Sequence, residues 1–191
     1  MATTARSMRD RVLATYAQAS PLELEDGARW YAEAQRISAD LGFRYGVSTH
    51  TAAGVISAMS PRTQWQVNLD FADRLLASAW LGESGPPAVH TTKGRAKAWL
   101  IVQGAEPMGV LNKGGAGKTT SFYRAIMGEA IPVVDVWAAR CAEGKDFRDR
   151  APEGRRYREI EKAYLMAARV AGVGASEMQA VTWIVTRGSA W

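Results

Sequence analysis

Nearly every stretch of this chain that carries apolar residues spaces them for a helix, and almost none alternates them at the two-residue period of a strand. The stretches "SMRDRVLATYAQA", "PLELEDGARWYAEAQRISADLGF", "GVSTHTAAGVISAMS" and "TQWQVNLDFADRLLASAWL" follow one another with short breaks. Ser20 before Pro21 makes an N-cap and first-turn pair for the second stretch, and Gly42 offers it a stop. Pro61 ends the third. In the fourth, Val67, Phe71, Leu75 and Leu76 fall at helical spacing. A loop, "GESGPPAVHTT", precedes "KGRAKAWLIVQG". After a glycine-rich segment come "TTSFYRAIMG", "PVVDVWAARCAEG", a charged turn "KDFRDRAPEG", and two closing helices, "RRYREIEKAYLMAARVAG" and "SEMQAVTWIVTRG". The only strand candidate is "AIPVVDVW". The pattern predicts an all-α protein, with residues 1–191 forming one helical domain of two lobes.

Composition narrows the chemistry. Apolar residues make up 47% of the 191, enough for a real core and too many for disorder. Cys141 is the only cysteine, so no internal disulfide and no cysteine-rich zinc or iron–sulfur site is available. His50 and His90 read as helix or loop surface residues rather than ligands. No metal and no cofactor is expected. No apolar run approaches the roughly 18 residues of a membrane helix, and "MATTARSMRD" lacks a signal-peptide core. These features give the expectation of a cytoplasmic protein without a membrane partner. The formal charge is +5, which favours a polyanionic partner.

The segment "KGGAGKTTSFYRAI", residues 113 to 126, reads Gly-Lys-Thr at Gly117 to Thr119 and invites comparison with a phosphate-binding loop. The spacing refuses it. The first glycine of that motif belongs at position 112, which is Asn112, and no buried strand precedes it. A second reading fits the pattern better. Gly115, Ala116 and Gly117 give the Gly–apolar–Gly turn of a helix-hairpin-helix spanning about residues 106–127. Glycines there let the backbone approach a phosphate. The amides that open the second helix lack helical partners and carry partial positive charge, and Lys113 and Lys118 flank the turn. Such contacts read backbone, not sequence. The alternative is a helix end followed by an ordinary loop.

Downstream, Asp135 follows Pro132, Val133 and Val134 and leads "VWAARCA". It serves either as a helix cap alone or as a carboxylate held at a helix N-terminus for chemistry. The ordered set of Gly–Ala–Gly turn, adjacent lysine, and aspartate leading a helix with Arg140 resembles the helix-hairpin-helix DNA glycosylase superfamily, the endonuclease III-like fold. The likeness covers roughly residues 46 to 142. "GVISAMSPRTQWQVNLDFADRLL" is similar to that family's early helix pair with its DNA-facing corner, and "KGRAKAWLIVQG" to the helix before the hairpin. A closer resemblance is to phage and actinobacterial proteins that share Trp30, Tyr31, Ser60, Pro61, Trp65, Asn68, Lys118, Phe122, Tyr123, Gly128, Asp135, Trp137 and Ala138 in this order.

The resemblance implies double-stranded DNA as partner, a monomer, and a host-cytoplasmic location for a phage-encoded chain. It implies Asp135 as the catalytic carboxylate at a flipped nucleotide. Lys118 is then a nucleophile or a phosphate contact. The family's lysine, counted from the turn, falls one place later, at Thr119. Arg62, Gln64, Trp65 and Asn68 would sit at the DNA-facing corner, with Trp65 either stacking on a base or lying in the core. Lys113, Gly115, Gly117, Thr119, Arg124 and Arg140 would hold the backbone. Phe122 and Tyr123 read as packing residues. The family's four-cysteine cluster has no counterpart here. The function implied is a monofunctional DNA base glycosylase. A phage base-hypermodification enzyme acting on modified thymine, and a non-catalytic DNA-binding or host-inhibiting protein, are the alternatives.

Overall fold

The computed structural model describes residues 4–112, 117–144 and 151–188. Its described residues form ten helices and no strand: α1 (Ala5–Tyr16), α2 (Pro21–Tyr45), α3 (Thr49–Met59), α4 (Trp65–Trp80), α5 (Thr92–Val102), α6 (Pro107–Leu111), α7 (Lys118–Ile126), α8 (Val136–Glu143), α9 (Gly154–Ala171) and α10 (Ala175–Arg187). The all-α class is as expected. The strand candidate is not a strand: residues 131–135 are irregular backbone leading into α8. Pro132 can donate no ladder hydrogen bond, and the described residues hold no strand for it to pair with.

The chain divides into two compact units, with the boundaries inside α2 and just before α7. Residues 21–32 of α2 belong to the first and residues 33–45 to the second. Ser20 and Glu23 start α2 with a reciprocal capping box: Ser20 N donates to Glu23 Oε2 at 2.8 Å, and Glu23 N donates to Ser20 Oγ at 3.3 Å. The helix runs past Gly42. It stops at Gly46, whose φ of 66° lies in the left-handed region that a side chain disfavours. Gly42 has another task, because a Cβ there would lie 2.8 Å from the Val47 carbonyl oxygen.

The first unit packs α1 against α8, α9 and α10. Met8 and Val12 of α1, Ala138 and Ala142 of α8, and Ile160 and Ala163 of α9 share its core. Small residues on α8 and α9 line this core, and the large buried side chains Tyr157 and Tyr164 of α9 fill it. A second patch joins α2, α7 and α10 through aromatic rings. Trp30 lies 5.9 Å from Phe122 and 6.0 Å from Trp183, centroid to centroid.

The second unit is organised around α3. Every residue from Ala52 to Met59 is buried, as expected of a helix apolar on all faces. It contacts α4, α5 and α6. Gly54 is the point of closest approach: a Cβ there would meet Pro107 at 2.9 Å and Ile101 at 3.1 Å. The fourth predicted helix is present, and Leu75 and Leu76 are fully buried as its spacing suggests. Val67 is 42% exposed, so the buried stripe of α4 runs through Trp65, Asn68, Ala72 and Leu75 instead. The short helix α6 lies within the span read as the helix-hairpin-helix, about residues 106–127. Glu106 caps it, its carboxylate accepting from Met108 N at 2.9 Å and Gly109 N at 2.5 Å.

Candidate functional site

The strongest candidate lies in the first unit and is built around Asp135. Pro132, Val133 and Val134 are buried, and this apolar anchor delivers Asp135 to the start of α8 in a half-buried position. Its carboxylate accepts the Ala138 amide at 2.9 Å, and its carbonyl accepts the Ala139 amide. Asp135 is therefore the N-cap of α8, held where the helix dipole favours negative charge.

Three phenols lie near that carboxylate. Tyr157, on α9 and 2% exposed, donates to Ser121 Oγ of α7 at 2.9 Å and accepts the Val134 amide at 3.4 Å. It pins the backbone immediately before Asp135. Tyr31, on α2, donates to Gln179 Oε1 of α10 at 2.6 Å. Tyr164, on α9, donates to the Ala138 carbonyl at 3.3 Å and accepts from the Thr182 hydroxyl. Burial pushes the Tyr31 phenol well above its ordinary value, and the negative charge of Asp135 adds to the shift. Burial likewise raises Tyr157 and Tyr164, with smaller contributions in the same direction from Asp135. All three remain neutral hydroxyl donors at neutral pH. The wall behind Asp135 is thus polar but uncharged.

Lys118 and Thr119 are the first two residues of α7, both half-buried. Gly117 caps that helix with extended backbone and no side-chain bond. Lys118 stands one turn before Ser121 on the same helix face, and Ser121 is bonded to Tyr157. A chain of contacts therefore links the start of α7 to the residue before Asp135. Phe122 and Tyr123, each 6% exposed, pack inward as read from the sequence.

The other expected positions are placed as follows. Arg124, expected to meet a phosphate, is paired with Glu129, with nitrogen and oxygen 2.5 Å apart. Arg140 lies over the Trp137 ring at 4.5 Å. In the second unit, Arg62 and Gln64 are exposed, and Arg62 has a left-handed φ of 62°. Trp65 and Asn68, expected at a DNA-facing corner, are buried at 7% and 2% exposure. The reason is their place on α4, whose buried stripe they open. Asn68 Oδ1 meets no hydrogen-bond donor among the described residues. Lys113 and Gly115, with the rest of the turn at 113–116, lie outside the described residues. The helices on either side of it, α6 and α7, fall within the expected span.

Tyr31, Tyr157 and Gln179 were not singled out as site residues by sequence. Tyr157 lies in a charged helical stretch that gives no sign of a partner on α7, and the Tyr31–Gln179 bond spans 148 residues. Among the described residues no group of histidine, cysteine, aspartate and glutamate could hold a metal ion, and no helix is long and apolar enough to cross a membrane.

No curated protein and no solved structure matches this chain. A model described as a family of unknown function, DUF7178, matches residues 1–190, and the chain belongs to that family.

Proposed function

We propose that the protein is a DNA-acting enzyme of the helix-hairpin-helix glycosylase type: a two-lobed, monomeric, cytoplasmic helical domain that hydrolyses the bond between a base and its sugar. One observation carries the reading. Asp135 is a half-buried carboxylate fixed at a helix N-terminus, backed by neutral phenols, on the segment that follows α7.

The chemistry follows from that placement. A base inside the duplex stack is out of reach, so the nucleotide must be extruded. Breaking the glycosidic bond builds positive charge on the sugar. The Ala138 amide holds one oxygen of Asp135, which leaves the carboxylate oriented to face that charge and to position water. Asp135 needs no reorganisation during the reaction, because its backbone is pinned through Tyr157 and its side chain by the cap. Lys118 adds a cation at the start of α7, as a phosphate contact or as a nucleophile.

The test compares the wild type with Asp135→Asn and Asp135→Ala on duplexes carrying a panel of damaged and modified bases. Asparagine caps a helix about as well as aspartate, whereas alanine costs about 1 kcal/mol. The expected result is base release by the wild type and none by Asp135→Asn, which keeps wild-type stability. Base release undiminished in Asp135→Asn would remove Asp135 from the chemistry. Failure of borohydride to trap a covalent product during turnover assigns Lys118 to phosphate; trapping that disappears in Lys118→Gln makes it the nucleophile.

A further inference from the structure

The second unit separates its charges in a way the net charge does not reveal. Every acidic residue from Glu33 to Asn112 is engaged. On α2, Glu33 and Asp40 both pair with Arg36. On α4, Asp73 pairs with Arg44 and Asp70 with Arg74. Glu83 accepts from the Ser78 hydroxyl, and Glu106 caps α6. Lys97 reaches the Leu111 carbonyl oxygen at 3.4 Å, where it meets the negative end of α6. Three cations remain with no acidic partner among the described residues: Arg62, Lys93 and Arg95.

These three gather at one end of the unit. Helices α3 and α5 run antiparallel, since Gly54 meets Ile101 while Gly94 meets Ala58. A Cβ at Gly94 would lie 3.1 Å from the Ala58 carbonyl oxygen, so the first turn of α5 rests on the last turn of α3. Arg62 is three residues past the end of α3, in the turn that follows. Lys93 and Arg95 occupy that first turn of α5. Arg62 and Lys93 are exposed and Arg95 is half-buried. The left-handed backbone at Arg62 keeps the turn tight against the helix end and its side chain in solvent. The partial positive charge of the α5 N-terminus has the same sign.

We infer that Arg62, Lys93 and Arg95 form a binding surface for the phosphate backbone of duplex DNA. Lys93 and Arg95 have no role in the site around Asp135. Only the identity of the polyanion rests on the function proposed above. Phosphates along a duplex backbone complement cations that no neighbouring carboxylate compensates. The contacts are to backbone, so they carry affinity and salt dependence rather than sequence preference.

The experiment is fluorescence anisotropy with a labelled duplex across a salt series. It compares the wild type, Arg62→Gln, the double variant Lys93→Gln/Arg95→Gln, and Arg36→Gln as an ion-paired control. Circular dichroism melts confirm that each variant folds. Each phosphate contact contributes about 0.9 to the slope of log affinity against log salt. The double variant is expected to lose about 2 units of slope and Arg62→Gln about 1, with Arg36→Gln unchanged. Slopes equal to wild type in both Arg62→Gln and the double variant, or an equal loss in Arg36→Gln, overturn the surface. Absence of wild-type binding at low salt overturns both the surface and the DNA partner. Base release measured on the same samples separates the two ideas. Lost slope without any base release keeps the surface and removes the glycosylase reading.

Discussion

At the scale of the residue, the molecule places titratable and polar groups where burial decides their behaviour. His90 shows this most directly. It sits in the loop before α5 with a left-handed φ of 56°, its ring 5.7 Å from Phe71 and its Nε2 buried. Burial lowers its pKa. In the unfolded chain histidine titrates near pH 6.5, so there the unfolded state takes up a proton before the folded state does. Stability is therefore complete above about pH 6.5 and is lost as pH falls through that value toward the depressed folded pKa. The replacement that isolates this effect is His90→Asn, because asparagine tolerates the left-handed backbone. The urea midpoint of the wild type is expected to fall more between pH 7.5 and pH 5.5 than that of His90→Asn. The exposed His50 is common to both and cancels. Equal falls in the two proteins would show that His90 is not the source. The sequence did place His90 outside any ligand set, but its partial burial follows from Phe71 and Gly94, which are remote from it in character and invisible to a local pattern.

At the scale of the element, glycines report where helices touch. Gly27 of α2 is buried, and a Cβ there would lie 2.8 Å from Val181 N and 2.9 Å from its Cα. Those are backbone atoms of α10 and cannot rotate away. Alanine favours a helix interior by about 1 kcal/mol over glycine, yet the clash costs about 1–3 kcal/mol. Gly27→Ala is therefore expected to be destabilising. Gly109, exposed on α6, has only the Glu106 carboxylate near its would-be Cβ, at 3.5 Å. Gly109→Ala is expected to be neutral or stabilising by up to about 1 kcal/mol. Thermal melts of the pair check the sign; a stabilised Gly27→Ala would refute the packing of α2 on α10. Helix starts were legible where a cap lies beside its helix, as at Ser20 and Pro21. The end of α2 was not, since Gly42 looks like a stop and is a contact. Helix α6 shows no period of its own, because five residues are too few to display one, and its place was read only from the hairpin pattern at about 106–127.

At the scale of the whole molecule, charge does two separate things. Most ion pairs are exposed: Arg36 with Glu33 and Asp40, Arg44 with Asp73, and Arg155 with Glu159 all lie at the surface. Arg156 with Glu143, a two-bond pair, is the better shielded case. Exposed pairs contribute about 1 kcal/mol or less each and are screened by salt. Raising salt from 50 mM to 500 mM is thus expected to move the thermal midpoint by only about 2–4 °C. Over the same range, binding to a polyanion is expected to fall by orders of magnitude. A melt that collapses in salt would mean that ion pairs, not apolar burial, hold each unit folded.

The sequence by itself determined the helical class, most helix positions, and Asp135 as a cap. Helical period and capping are interactions between residues a few places apart, so they are written locally. The tertiary structure alone decided the surroundings of Asp135, the burial of Trp65 and Asn68, and the isolation of Lys93 and Arg95. Each of these depends on helices brought together from distant parts of the chain. Tyr157 reaches across 36 residues to Ser121, and Tyr31 across 148 to Gln179. Burial and charge compensation are sums over neighbours in space, and those neighbours exist only once the helices have packed.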